Sequence, residues 1–77
     1  MATYRAAIEI DGKIALVPSR RHTYHGTRSA ALRALEQLGK RSAIDARGFC
    51  WPISAGDVTT LDLSAGNIPP WVETISL

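Results

Sequence analysis

Residues 4–17, which read YRAAIEIDGKIALV, decide how the fold begins. Apolar and polar side chains alternate over residues 4–10, which is the period-two pattern of a half-buried strand. Asp11-Gly12 follows, and this dipeptide favours a tight turn because a type I′ turn needs positive φ at both central positions. We therefore predict that Ile14 to Val17 pairs back antiparallel on the first strand as a β-hairpin.

The segment after the hairpin contains a proline and is basic. Pro18 cannot donate a hydrogen bond to a ladder, so the second strand must break, bulge or lie at an edge there. We expect the following stretch, Ser19-Arg20-Arg21, to be exposed to solvent. His22 to His25 is a candidate third stretch of the same sheet.

Residues 28–38, which read RSAALRALEQL, form the one helix that the sequence predicts convincingly. Thr27 is the expected N-cap, and Gly39 is the expected left-handed residue after the last turn. Small and apolar side chains share one stripe, so we expect the helix to pack on a sheet by that face. The members of this stripe are Ala31, Ala34, Leu35 and Leu38, with Leu32 at its border.

Strands are predicted again after the helix. Ile44 to Ile53 and Val58 to Leu63 read as two strands, and Trp71 to Leu77 is a candidate terminal strand. We therefore predict a single α+β domain over residues 1–77. Its mainly antiparallel sheet has four to five strands and one amphipathic helix packed on one face, in the order β-β-α-β-β.

Length and composition exclude several classes of protein. The chain has 77 residues, 45% of them hydrophobic, and a single cysteine, Cys50. One cysteine excludes an internal disulfide framework and favours a reducing compartment, so we expect a cytoplasmic protein. The longest apolar run, Ile14 to Val17, is far too short to cross a bilayer, so no membrane role is expected.

Charge is distributed unevenly along the chain. Residues 1–41 hold eight Lys and Arg against three Asp and Glu, whereas residues 42–77 hold one against four. Such asymmetry is typical of a charged recognition face. The alternative is that the two halves interleave in one sheet and neutralise each other locally.

Metal and cofactor sites are not predicted. His22, His25 and Cys50 could offer imidazole and thiolate ligands, but a structural zinc site needs four ligands, usually in closely spaced pairs. If the first two positions lie in an extended segment, their side chains point to opposite faces, because they are three residues apart.

A catalytic site is not predicted either. Cys50, a histidine and Asp57 have the residue types of a cysteine nucleophile, its base and its orienting group. However, Cys50 lies between Phe49 and Trp51 in a predicted strand, where a free cysteine is usually a small buried hydrophobic residue. The sequence also has no Gly-x-Ser-x-Gly motif, no glycine-rich phosphate-binding loop and no His-Glu-x-x-His motif, so we expect a protein that is not an enzyme.

Residues 19–28, which read SRRHTYHGTR, are the most informative for function. Basic and aromatic side chains in this pattern suit contacts with phosphates, with an aromatic ring for stacking. They suit an acidic protein surface equally well, since Arg and Tyr are enriched at interface hot spots. The alternative is a solvated edge of the sheet. The candidate binding residues are Arg20, Arg21, His22, Tyr24, His25 and Arg28.

From Tyr4 to Leu38 the order of strand, Asp-Gly turn, second strand, short third stretch and Ala-rich helix resembles the arm-type DNA-binding domain of tyrosine integrases and the related AP2 domain. In those families the sheet enters the major groove and the helix braces it. The resemblance implies that Arg20, Arg21, His22 and Tyr24 face the groove. The sequence departs from those families by its apolar second strand and its added acidic half.

The whole chain resembles phage-encoded anti-CRISPR proteins in kind: it is short and α+β, lacks catalytic motifs and carries charged surface. This resemblance implies a non-enzymatic phage or mobile-element inhibitor that docks on a larger protein or ribonucleoprotein complex of the host. The alternative is a small arm-type or AP2-like DNA-binding module. Duplex binding should weaken steeply with salt, whereas a protein contact anchored by Trp51 or Trp71 should not.

Overall fold

The computed structural model describes residues 3–20, 22–41, 46–56 and 58–77. Its four strands are β1 (Tyr4–Ile10), β2 (Lys13–Leu16), β3 (Ala46–Pro52) and β4 (Glu73–Ser76). They form one sheet in the order β2-β1-β3-β4, and every neighbouring pair is antiparallel. The predicted α+β class and antiparallel sheet are therefore confirmed.

The hairpin between β1 and β2 forms where the sequence predicts it. Asp11 and Gly12 have φ values of 53° and 77°, the left-handed values that a two-residue type I′ turn requires. Ile10 consequently lies opposite Lys13, and the register continues to Ala7 opposite Leu16. Local turn chemistry thus fixes which side chains of both strands share a face.

The helix α1 (Arg28–Arg41) begins as predicted and ends later. The backbone N–H of Ala30 donates to Thr27 Oγ1 at 3.1 Å, which confirms the N-cap. The prediction that Gly39 ends the helix is wrong, because the helix continues through it to Arg41. A Cβ at Gly39 would lie 2.8 Å from Leu77 Cβ, so the glycine permits close contact with the residue after β4.

The face of the sheet beneath α1 forms the first of two core clusters. Ala31 and Leu35 of the helix pack there on the even-numbered residues of β1. The buried members of this cluster are Ala6, Ile8, Val17, Ala31, Leu35, Ala46 and Cys50.

The predicted strand from Val58 to Leu63 is a short helix instead. This helix, α2 (Thr60–Ser64), is started by a capping box in which Thr59 Oγ1 accepts from the Asp62 N–H at 3.1 Å. The Asp62 carboxylate accepts in turn from the Thr59 N–H at 3.4 Å. Val58 and Leu63 are buried while Leu61 is exposed, so the apolar pattern is satisfied without a strand.

The second core cluster covers the face of the sheet opposite α1. The sequence predicts one helix packed on one face of the sheet, and α1 confirms this. It does not predict what covers the second face. Here α2 and the segment that leads to β4 pack over β1 and β3. The buried members are Ala7, Phe49, Trp51, Val58, Leu63 and Val72. Since both faces carry packed side chains, edges and loops provide the accessible surface.

The remaining predicted segments form in part. β4 confirms the candidate terminal strand, and β3 confirms the strand after α1, although Ile44 and Asp45 lie outside the described residues. The candidate third stretch makes a single bridge, between His25 and Tyr4. Within the described ranges, no helix is both long enough and apolar enough to cross a membrane.

Candidate binding loop

The predicted basic segment lies on a loop that leaves the sheet after β2 and returns to it before α1. We call residues 18–24 the basic loop; Arg21, a candidate binding residue, lies outside the described residues. Before the loop, the Val17 N–H donates to the Ala6 carbonyl at 2.8 Å. After it, His25 and Tyr4 exchange backbone hydrogen bonds of 2.7 and 2.8 Å. Both ends of the loop are therefore attached to β1.

His25 is an internal residue and not a surface one. It is only 3% exposed, and its ring Nε2 lies 2.8 Å from the Val17 carbonyl oxygen. Because a carbonyl only accepts, Nε2 must carry the proton and donate. The sequence-based choice of His25 as a binding residue is corrected here, since its side chain joins the two ends of the basic loop and faces no solvent.

Ser19 shapes the beginning of the basic loop. Its hydroxyl donates to the His22 carbonyl at 3.1 Å and accepts from the His22 N–H at 3.0 Å. Its own N–H donates to the same carbonyl at 2.9 Å. Short polar side chains that bond to nearby backbone in this way stabilise turns.

Three candidate residues are exposed together on the basic loop. The rings of His22 and Tyr24 stack with their centroids 5.1 Å apart and an interplanar angle of 12°. Arg20 is exposed and makes no ion pair with any described residue. The described residues of the loop therefore offer the unpaired guanidinium of Arg20 and a flat aromatic surface.

Arg28 forms an ion pair with a residue far along the chain. Its Nε and Nη2 donate to the two carboxylate oxygens of Glu73 at 2.9 and 2.8 Å. The hydrogen bond and the opposite charge raise the pKa of Arg28 and lower that of Glu73. Arg28 thus links the start of α1 to β4.

The basic and acidic halves of the chain interleave at two positions. Arg28 of the first half pairs with Glu73 of the second, and Arg47 of the second half pairs with Glu9 of the first at 3.2 Å. Local neutralisation, the alternative left open by the sequence, therefore occurs at both places. Arg20, in contrast, has no acidic partner among the described residues.

Cys50 lies in the core beneath α1. Burial raises the pKa of its thiol to about 11, so the group is protonated at neutral pH. Asp57, the other named member of the considered catalytic set, lies outside the described residues. Among the residues that are described, no three His, Cys, Asp or Glu side chains cluster to hold a metal ion.

The structure buries one of the two tryptophans that the sequence suggests as anchors, and it exposes two leucines. Trp51 is fully buried, so it cannot anchor a partner, and Trp71 is half-buried. Leu61 and Leu16 expose large apolar side chains instead, at 80% and 43% exposure. The alternation over residues 58–63 predicts a strand and does not indicate that Leu61 is exposed on a helix.

Comparison with known protein families, characterised proteins and solved structures found no match to this chain. The site is therefore interpreted from its own geometry.

Proposed function

We propose that this protein is a non-enzymatic binding module that attaches to a larger protein or ribonucleoprotein complex through the basic loop. The observation that carries the proposal is the construction of the loop, whose ends are attached to β1 and whose outer part exposes Arg20, His22 and Tyr24. Because both ends of the loop are attached to β1, its described residues have less conformational freedom to lose on binding.

Charge favours an acidic group on the partner. Arg20 has no carboxylate among the described residues, whereas Arg28 and Arg47 each have one. A guanidinium can hold a carboxylate or a phosphate with two parallel hydrogen bonds, and Tyr24 can add apolar contact area. We expect the partner to present such an anion beside an apolar or aromatic group.

The class of protein that we propose is a phage or mobile-element inhibitor of the anti-CRISPR kind. Support comes from the small α+β fold, the buried and protonated Cys50 and the exposed charged loop, all of which suit binding without catalysis. The identity of the host complex is left to experiment.

DNA binding of the arm type is disfavoured by one observation. Those domains use the sheet face opposite the helix, and here α2 and Val72 cover that face over Phe49 and Trp51. A duplex would have to bind without that face of the sheet. The basic loop carries two arginines, Arg20 and Arg21, which can neutralise only a few phosphates, so we expect weak binding of this loop to DNA.

Affinity capture from a bacterial lysate distinguishes these two functions. The tagged protein is incubated with lysate that has or has not been treated with nuclease, and the column is washed with increasing salt. A protein partner retained after nuclease treatment and moderate salt supports the proposal. Retention that disappears with nuclease, and falls steeply with salt, indicates nucleic-acid binding instead.

A further inference from the structure

The outer side of β2 is an unpaired sheet edge. β2 ends the strand order, and no described strand lies beyond it. Val17 donates to Ala6, and hydrogen bonding alternates along an antiparallel ladder, so Ala15 also bonds to β1. Ile14 and Leu16 therefore direct their backbone N–H and C=O groups outward, where they are available to another strand.

Exposed apolar side chains accompany this edge. Leu16 is 43% exposed, and Leu61 on the neighbouring α2 is 80% exposed. α2 packs against β2 on the sheet face opposite α1, which is also the face of Ile14. The free backbone groups and the exposed leucines thus lie at the same border of the molecule.

We infer that β2 is a homodimer interface, where it pairs antiparallel with β2 of a second copy of this chain. Ile14 then lies opposite Leu16 of the second copy, and Ala15 lies opposite its own counterpart on the two-fold axis. In this register every outward N–H and C=O of Ile14 and Leu16 gains a partner. Pro18 ends the ladder, because it has no N–H to donate.

Charge and apolar surface both fit this arrangement. The antiparallel pairing brings Asp11 of the turn beside the start of the basic loop of the second copy, which carries Arg20. Asp11 and Arg20 are exposed and of opposite charge, and neither has an ion-pair partner among the described residues. The two-fold axis also places the α2 helices of both copies on the same face of the joined sheet, where Leu61 of each copy is exposed.

This inference does not rest on the proposed function, although Arg20 enters both. It concerns the purified chain alone, whereas the proposed function concerns attachment of the basic loop to another macromolecule. If experiment disproves either the dimer or the attachment of the loop to a partner, the other is not thereby disproved.

Sedimentation equilibrium of the full chain, from micromolar to millimolar concentration, tests the dimer. We expect a monomer–dimer equilibrium. Leu16→Asp should shift it toward monomer and raise the dissociation constant about tenfold or more, because dimerisation would bury the new carboxylate between the two β2 strands. Thr74→Asp, an exposed position on the opposite edge strand β4, is the matched control and should leave the equilibrium unchanged. Thermal melting checks that both variants fold.

Amide hydrogen exchange gives a direct readout of the register. The amides of Ile14 and Leu16 should exchange slowly at high protein concentration and rapidly after dilution. The Ala15 amide, which bonds within the chain, should be protected at both concentrations. A monomer at millimolar concentration, or a dimer in which Ile14 and Leu16 exchange at the same rate as in the monomer, would overturn the inference.

Discussion

The ring of His25 donates from Nε2 to the carbonyl oxygen of Val17 at 2.8 Å, and this bond joins the two ends of the basic loop. Both residues are buried, so the bond satisfies a carbonyl and a ring N–H that the fold withdraws from solvent. The loop that exposes Arg20 and Tyr24 is therefore held by a residue of the interior.

His25→Ala should destabilise the protein by about 1 to 3 kcal/mol, because it leaves the buried Val17 carbonyl without its partner. Urea unfolding of the variant and the wild type measures the difference. His22→Ala, which removes an exposed histidine of the basic loop, is the control and should have the same free energy of unfolding as the wild type. Equal unfolding free energies for His25→Ala and wild type would show that this bond does not stabilise the fold.

Leu35→Ala should cost about 2 to 5 kcal/mol, because Leu35 is fully buried between α1 and the sheet. In so small a domain this loss should unfold much of the protein. Gln37→Ala, an exposed position of the same helix, should change the melting temperature little. If Leu35→Ala leaves the melting temperature unchanged, the assigned inner face of α1 is wrong.

Cys50 should react slowly with thiol reagents at neutral pH. Its pKa of about 11 and its burial keep the thiol protonated and inaccessible. Labelling followed by absorbance should become rapid only when denaturant unfolds the protein. Fast labelling of the native protein would contradict the buried position and restore the nucleophile hypothesis.

The ion pair of Arg28 and Glu73 should make a small, pH-dependent contribution to stability. Arg28 lowers the pKa of Glu73, so the contribution is present above the ordinary carboxyl pKa and is lost as pH falls through the lowered one. Both side chains are largely exposed, so salt should reduce the effect. Unfolding curves of wild type and Glu73→Gln should differ at neutral pH and converge in acid; a constant difference across that range would rule out the pair as the cause.

The hairpin and α1 were predictable because short-range chemistry decides them. Asp11-Gly12 can hardly form any other turn, and Thr27 caps the helix that follows it. The sequence also contained the signal for α2, since Thr59 and Asp62 have capping-box spacing. Alternation over residues 58–63 favoured a strand, but the cap prevailed because burying Val58 and Leu63 does not require one.

The remaining features depend on contacts that no local pattern encodes. His25 bonds to a carbonyl eight residues earlier, and Arg28 pairs with a carboxylate 45 residues later. These contacts follow from the strand order, which the sequence left open. That is why six candidate binding residues could be named from composition, while the division of the five described ones into exposed, buried and ion-paired groups needed the structure.

Attachment through the basic loop is tested most directly by titrating the captured and purified partner with three proteins. These are wild type, the double variant Arg20→Ala with Arg21→Ala, and Arg33→Ala, which removes an exposed charge from α1. We predict that the double variant melts like wild type and binds about tenfold more weakly or worse, while Arg33→Ala binds like wild type. A folded double variant that binds as tightly as wild type would contradict attachment through this loop.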